Sequence, residues 1–351
     1  MNFFNKKSGL IVAGILFGIL AAVLAATGNP QNMAFCIACF IRDIAGSMNL
    51  HQAAVVQYLR PEIIGLILGS FIIALAGKEF HSTGGSSPVI RFVLGFIMMI
   101  GSLVFLGCPL RMVLRLAGGD ANALVGLAGF IAGIACGIVL LRRGFSLGRA
   151  QKTSTASALV LPISTLAVFI IGLFGVFVAS TEGPGAIHAP IFLSLLIGLL
   201  FGAFAQKSRL CMAGGFRDLF LIKDGGLALQ FLGIFVVMLI YNLLTHNFKF
   251  GFADQPIAHT MQLWNFLGLY AVGLAAVMAG GCPLRQLILA GQGNNDSVIT
   301  FLGLLVGAAF CHNFGWAASP KGVPVAGQIA CVVSIVVLWV IGLSLCRKKV
   351  A

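Results

Sequence analysis

Ten apolar runs, separated by short polar or glycine-rich segments, follow one another along the chain. They lie at about 9–27, 63–77, 92–107, 121–141, 156–180, 187–205, 225–245, 263–281, 298–316 and 323–346. A helix needs about 20 apolar residues to cross a hydrocarbon core. The second and third runs fall short of that length; the other eight reach or approach it. The pattern predicts an all-α polytopic membrane protein with about nine or ten transmembrane helices. The first run follows Lys6 and Lys7, as a signal peptide would. Nine further runs follow it without a cleavage site, so it is read as a retained helix.

Composition reinforces the pattern. Of 351 residues, 59% are hydrophobic and only 9% charged, against about 25% charged in a soluble domain. A net charge of +13 could suggest nucleic acid, but the basic residues cluster in the short segments between apolar runs. They therefore report topology, and no nucleic-acid partner is expected. With the amino terminus inside, ten alternating spans put Lys78, Arg91, Arg142, Arg143, Arg149, Lys152, Lys207, Arg209, Lys223 and Arg347-Lys348-Lys349 inside. Lys249 and Lys321 fall outside; the assignment is lopsided in the expected direction, so both termini are expected to be cytoplasmic.

The chain also repeats itself. Gly14-Ile-Leu-Phe-Gly18 returns as Gly198-Leu-Leu-Phe-Gly202. Cys36, followed six residues later by Arg42-Asp43, returns as Cys211 followed by Arg217-Asp218. Gly107-Cys108-Pro109-Leu110-Arg111 returns unchanged as Gly281-Cys282-Pro283-Leu284-Arg285. The two cysteine motifs recur at offsets of 175 and 174 residues, which points to duplication. An odd number of spans separates the copies, so the halves are predicted to have opposite orientation, an architecture of transporters. The expected organisation is a first repeat over 1–141, a basic cytoplasmic linker over 142–157, an extra span over 158–186, a second repeat over 187–318, and a final span with a basic tail over 319–351.

The motifs lie between spans yet are apolar, as short re-entrant half-helices would be. Such backbone is tolerated at depth only where protein or a water-filled cavity surrounds it. Pro after Gly-Cys suits a helix start, and a helix N-terminus attracts anions. Cys36, Cys108, Cys211 and Cys282 are the shared thiols and the candidate pathway residues, with Arg111 and Arg285 supplying positive potential. Arg42–Asp43 and Arg217–Asp218 are candidate structural pairs. Adjacent helical residues do not face each other, however, so pairing between motifs, such as Asp43 with Arg111, is equally compatible with the sequence. Cys36-x-x-Cys39 could be a dithiol or half of a metal site, but its counterpart reads Cys211-x-x-Gly214. Cys136, Cys331 and Cys346 read as buried small hydrophobes. The six His are scattered and no ATP-binding motif is present. No metal, cofactor or catalytic residue is therefore expected.

On these residues the chain resembles the YeeE/YedE family of sulfur-transport membrane proteins, and the resemblance covers nearly the whole chain. The Gly-Cys-Pro-Leu-Arg form is similar to the YedE branch, linked to selenium transport. The resemblance implies a bacterial inner-membrane protein, not an enzyme. It implies uptake of a thiosulfate-like sulfur or selenium anion through a cysteine-lined path made by Cys36 or Cys211 with Cys108 and Cys282. Helix N-termini and Arg would hold the hard oxygens, and thiols would touch the soft sulfur. Two other readings stay open: a membrane-bound sulfur- or selenium-transfer protein with reactive cysteines and a cytoplasmic sulfur-carrier partner, and an anion channel without sulfur chemistry.

Overall fold

The computed structural model describes Phe4 and residues 6–346; the basic triplet Arg347-Lys348-Lys349 lies outside the described residues. In chain order the helices are α1 (Lys7–Ala26), α2 (Ile37–Ser47), α3 (Pro61–Ala76), α4 (Pro88–Phe105), α5 (Pro109–Ala117), α6 (Asn122–Arg142), α7 (Thr155–Leu173) and α8 (Gly183–Ala186). They continue with α9 (Ile191–Ser208), α10 (Met212–Leu221), α11 (Gly226–Leu244), α12 (Gln262–Ala279), α13 (Pro283–Gly291), α14 (Asn295–Asn313) and α15 (Val325–Ser344). Ten segments, each built on one of the long helices, are long and apolar enough to cross a membrane, with mean hydropathy of 1.3 to 2.7. The protein is thus an all-α multi-pass membrane protein.

The apolar runs and the long helices agree closely, with instructive departures. The fifth run was expected to reach residue 180, but α7 stops at Leu173. Gly175 takes a left-handed conformation (φ 70°) just beyond it, so the chain turns although its composition stays apolar. The linker expected over 142–157 contains a strand. Gln151–Lys152 (β2) pairs antiparallel with Thr83–Gly84 (β1), tying the segment after α6 to the loop between α3 and α4.

Between the long helices sit α2, α5, α10 and α13, of 9 to 11 residues each. Every residue of α2 is buried. In α10 only the first four residues are buried, and its end emerges from the packing.

Packing is reciprocal between the two copies of the repeated pattern. Helix α1 lies on α11 and α9 lies on α3; α4 lies on α14 and α12 lies on α6; α4 and α12 meet at the centre. Van der Waals contact is the principal force between helices in lipid, and small residues permit it. The repeated glycines supply that closeness. A Cβ on Gly14 would sit 2.5 Å from the carbonyl oxygen of Gln230, and one on Gly198 would sit 2.5 Å from that of Glu62. The two Gly-x-x-x-Gly motifs therefore do the same job against α11 and α3.

Candidate functional site

All four shared cysteines are N-cap residues: Cys36 of α2, Cys108 of α5, Cys211 of α10 and Cys282 of α13. Local chemistry explains why. An N-cap has extended backbone and leaves the first N–H groups of its helix without intrahelical partners. Cys36 Sγ accepts from the N–H of Cys39 at 3.4 Å, and Cys211 Sγ accepts from that of Gly214 at 3.1 Å. Cys108 and Cys282 are each followed by Pro at the first helical position, where its missing N–H costs nothing.

These short helices meet across the seam between the halves: α2 touches α13 and α14, and α10 touches α5 and α6. Their thiols form two groups. In the first, Cys36 Sγ lies 2.8 Å from Cys39 Sγ and 3.9 Å from Cys108 Sγ, all three buried. In the second, the Cys211 and Cys282 thiols are neighbours that interact with each other and with Arg285.

Each group has one motif arginine, folded back over the glycine that precedes the cysteine. A Cβ on Gly107 would lie 2.8 Å from Arg111 Cδ, and one on Gly281 would lie 2.8 Å from Arg285 Cγ. The identical pentapeptides thus build the same stem, but the guanidinium groups end differently. Arg111 is fully buried, and each of its three side-chain nitrogens has a partner. It donates from Nε to Asn32 O (3.1 Å), from Nη2 to Asn32 Oδ1 (2.9 Å) and Ile257 O (3.2 Å), and from Nη1 to Cys39 Sγ (3.3 Å). Arg285 keeps a buried Nη1 with no partner.

The acidic residues of the motifs do not reach these arginines. The inter-motif pair Asp43–Arg111 is absent: Asp43 Oδ1 takes Arg42 (Nη2 at 2.7 Å) and Oδ2 takes Arg60 (Nε at 2.8 Å). Neighbouring residues point apart at their Cβ atoms, but the long arginine stem bends round to bring the guanidinium back. Arg217 and Asp218 pair in the same way at 2.8 Å, half-exposed. In the first half the pin is stronger, because Arg60 also donates to Pro184 O and Ile187 O and lies over the rings of Phe40 and Tyr58.

Sequence reasoning missed Arg60, Glu62 and Asn32. Glu62 is fully buried, with Oε1 accepting from Asn29 Nδ2 at 2.8 Å and Oε2 unpartnered. A signal existed for the first two: Arg60-Pro61-Glu62 puts two charges at the start of an apolar run, and intramembrane charge is a functional marker. Nothing in the sequence singles out Asn32. Among the described residues no group of three or more His, Cys, Asp or Glu side chains has metal-holding geometry.

Fold and side-chain placement together describe a multi-pass membrane protein with two buried groups of thiols, each with a motif arginine beside it. Comparison with known proteins adds what such a chain is similar to. Residues 207–350 match the family model described as Sulphur transport. Over 129 residues the chain is 30% identical to the thiosulfate transporter TsuA of Spirochaeta thermophila, an alignment covering 36% of this chain and 38% of that protein. Over 127 residues it is 29% identical to the thiosulfate transporter TsuA of Escherichia coli, covering 34% and 33%. The matched part thus spans about a third to two-fifths of these relatives' length.

Proposed function

We propose that the protein carries a small sulfur- or selenium-containing anion of the thiosulfate type across the bacterial inner membrane, along a path through the seam that Cys36, Cys108, Cys211 and Cys282 line. The observation that carries this reading is Arg285: a partly exposed arginine whose Nη1 is buried and unpartnered, next to two thiols at helix N-termini. A free buried donor is costly, and an anion's oxygen satisfies it with a charge-assisted bond. The thiols face the soft sulfur end with weak contacts, which lets the anion leave again. The named relatives carry thiosulfate, and the family match covers the second half, where Arg285 lies.

The two halves are proposed to be inverted repeats, with both termini cytoplasmic. The reciprocal packing of α1 on α11 and α9 on α3 supports two equivalent halves, and the charge asymmetry of the connecting segments supports their opposite orientation. A cytoplasmic sulfur-carrier protein is the proposed recipient of the anion.

Uptake of labelled thiosulfate, selenite and sulfate by proteoliposomes tests the reading. Thiosulfate or selenite should enter, and Cys108→Ser, Cys282→Ser and Arg285→Gln should each cut uptake at least about tenfold, the effect of one lost charged hydrogen bond. If none of these anions enters through the unmodified protein, the transport reading is wrong.

The closeness of Cys36, Cys39 and Cys108 favours a second reading, a sulfur relay. A cysteine thiolate would attack the outer sulfur of thiosulfate, forming a new S–S bond; the old S–S bond would break and sulfite would leave with its electron pair. A persulfide on Cys36, Cys39 or Cys108 after exposure to thiosulfate, detected by mass spectrometry, would select this reading over passive guidance.

A further inference from the structure

The buried arginines of this protein fall into two kinds. Arg42 and Arg60 share Asp43, and Arg115 pairs with Asp120 at 2.6 Å. A buried ion pair holds its members tightly, because breaking it strands a charge. Arg111 has no carboxylate among its hydrogen-bond partners. Its oxygens come from two loops, one from each half: the main-chain and side-chain oxygens of Asn32, between α1 and α2, and the main-chain oxygen of Ile257, between α11 and α12. These are neutral dipoles, and an anion's oxygen competes with them on favourable terms.

Asn32 has a second tie. Its Nδ2 donates to Pro256 O on the loop of the other half. One carboxamide therefore joins the two loops and caps the guanidinium at the same time. Asn32 also lines a small polar cavity of about 20 Å³, together with Gln31, Arg115, Asn242, Asn247 and Gln255 among others, with room for about one water molecule. Arg115 is fully buried and its Nη2 has no partner. These residues lie in the last turn of α5 or α11 or in the segments after α1 and α11, the ends that the charge pattern puts outside.

We propose that Asn32 is the latch of the outer entrance. Its carboxamide oxygen occupies on Arg111 the place of an oxygen of the incoming oxyanion, and the anion displaces it on the way from the polar cavity to Cys39 and Cys108. Release of the Asn32 carboxamide frees one N–H of Arg111 Nη2 and removes the tie to Pro256, so a second guanidinium follows the one of Arg115 along the path. The second half has no such cap: Arg285 keeps its free Nη1. The structure is thus closed at the Arg111 end and holds a free donor at the Arg285 end. This inference rests on the transport reading for the identity of the anion, but the latch has a readout of its own.

The test is the rate at which a charged, membrane-impermeant methanethiosulfonate, added outside spheroplasts, modifies Cys39, scored by mass spectrometry. Cys39 lies directly behind the latch, 3.3 Å from Arg111 Nη1. Asn32→Ala should raise that rate about tenfold, the worth of one hydrogen bond to a charged group. Asn32→Asp loses the donation to Pro256 but puts a carboxylate on Arg111; since the ion pair with the buried guanidinium outweighs one neutral hydrogen bond, it should lower both that rate and thiosulfate uptake. The aspartate keeps the side-chain volume and carries the test if the alanine variant does not fold. Unchanged labelling in the variants, or labelling of Cys39 only from the cytoplasmic face, overturns the proposal. Wild-type uptake with unchanged labelling overturns the latch alone. Labelling that responds to Asn32 without any uptake of thiosulfate, selenite or sulfate supports the latch and sinks the transport reading.

Discussion

Asp43 carries more structure than any other acidic residue of the seam, because two guanidinium groups share its two oxygens in a site without solvent. Asp43→Asn removes the negative charge from between Arg42 and Arg60. The expected cost is about 3–5 kcal/mol, the range for breaking a buried pair from one side, read as a large loss of thermal stability in detergent. Asp218→Asn should cost about 1 kcal/mol or less, since its single pair is half-exposed. Gly107 acts at the same scale. Its missing Cβ leaves the space that the Arg111 stem fills, so Gly107→Ala should push Arg111 off the Asn32 clasp and reduce uptake while the protein still folds. The repeated sequence made these residues visible as candidates. Their partners lie outside the repeated motifs: Arg60 carried only the signal of a charge at the start of an apolar run, and Asn32 carried none.

At the scale of elements, the contact of α9 with α3 and that of α1 with α11 are built alike, yet the side chains at the two crossing points differ. Gly198 faces Glu62, and Gly14 faces Gln230. Both side chains are fully buried, and each has one unpartnered oxygen, Glu62 Oε2 and Gln230 Oε1. An amide thus fills the place in one half that a carboxyl fills in the other. Glu62→Gln should therefore fold with stability within about 1 kcal/mol of the parent, checked by thermal denaturation, since the amide oxygen still accepts from Asn29. Gly198→Leu should do far more harm. Its side chain meets backbone, which cannot rotate away, and overpacking of this kind costs at least about 1–3 kcal/mol. At the other end of the same helix pair, Lys207 Nζ lies 3.0 Å from Glu79. That hydrogen bond holds the Glu79 carboxyl below its usual range. A depressed carboxyl stabilises the fold above its unfolded pKa and loses that contribution as pH falls through the folded value. Lys207→Met should therefore lower the melting temperature slightly at pH 7 and leave it unchanged at pH 3.

For the whole molecule, reciprocal packing and opposite charge bias together make an orientation prediction. Lys152 and Lys249 lie after α6 and α11, and both are exposed. In a background lacking reactive thiols, Lys249→Cys should react with an impermeant reagent added to spheroplasts, and Lys152→Cys should react only once the membrane is opened. Equal reactivity of the two from one side would contradict the inverted arrangement.

The sequence by itself determined the solvent of this protein, the long helices and the starts of the two short helices at Cys108 and Cys282. These are local or compositional properties: apolar length, proline and glycine at helix ends, and a motif written twice. Tertiary structure decided which oxygen each guanidinium meets. The reason is distance along the chain. Arg111 finds its partners 79 residues before it and 146 after it, and two identical pentapeptides carry no record of what another segment brings to them. The same five residues therefore end in an Arg111 whose every nitrogen has a partner and an Arg285 whose Nη1 has none, because loops from opposite halves close over the first and, among the described residues, no polar group reaches that nitrogen of the second.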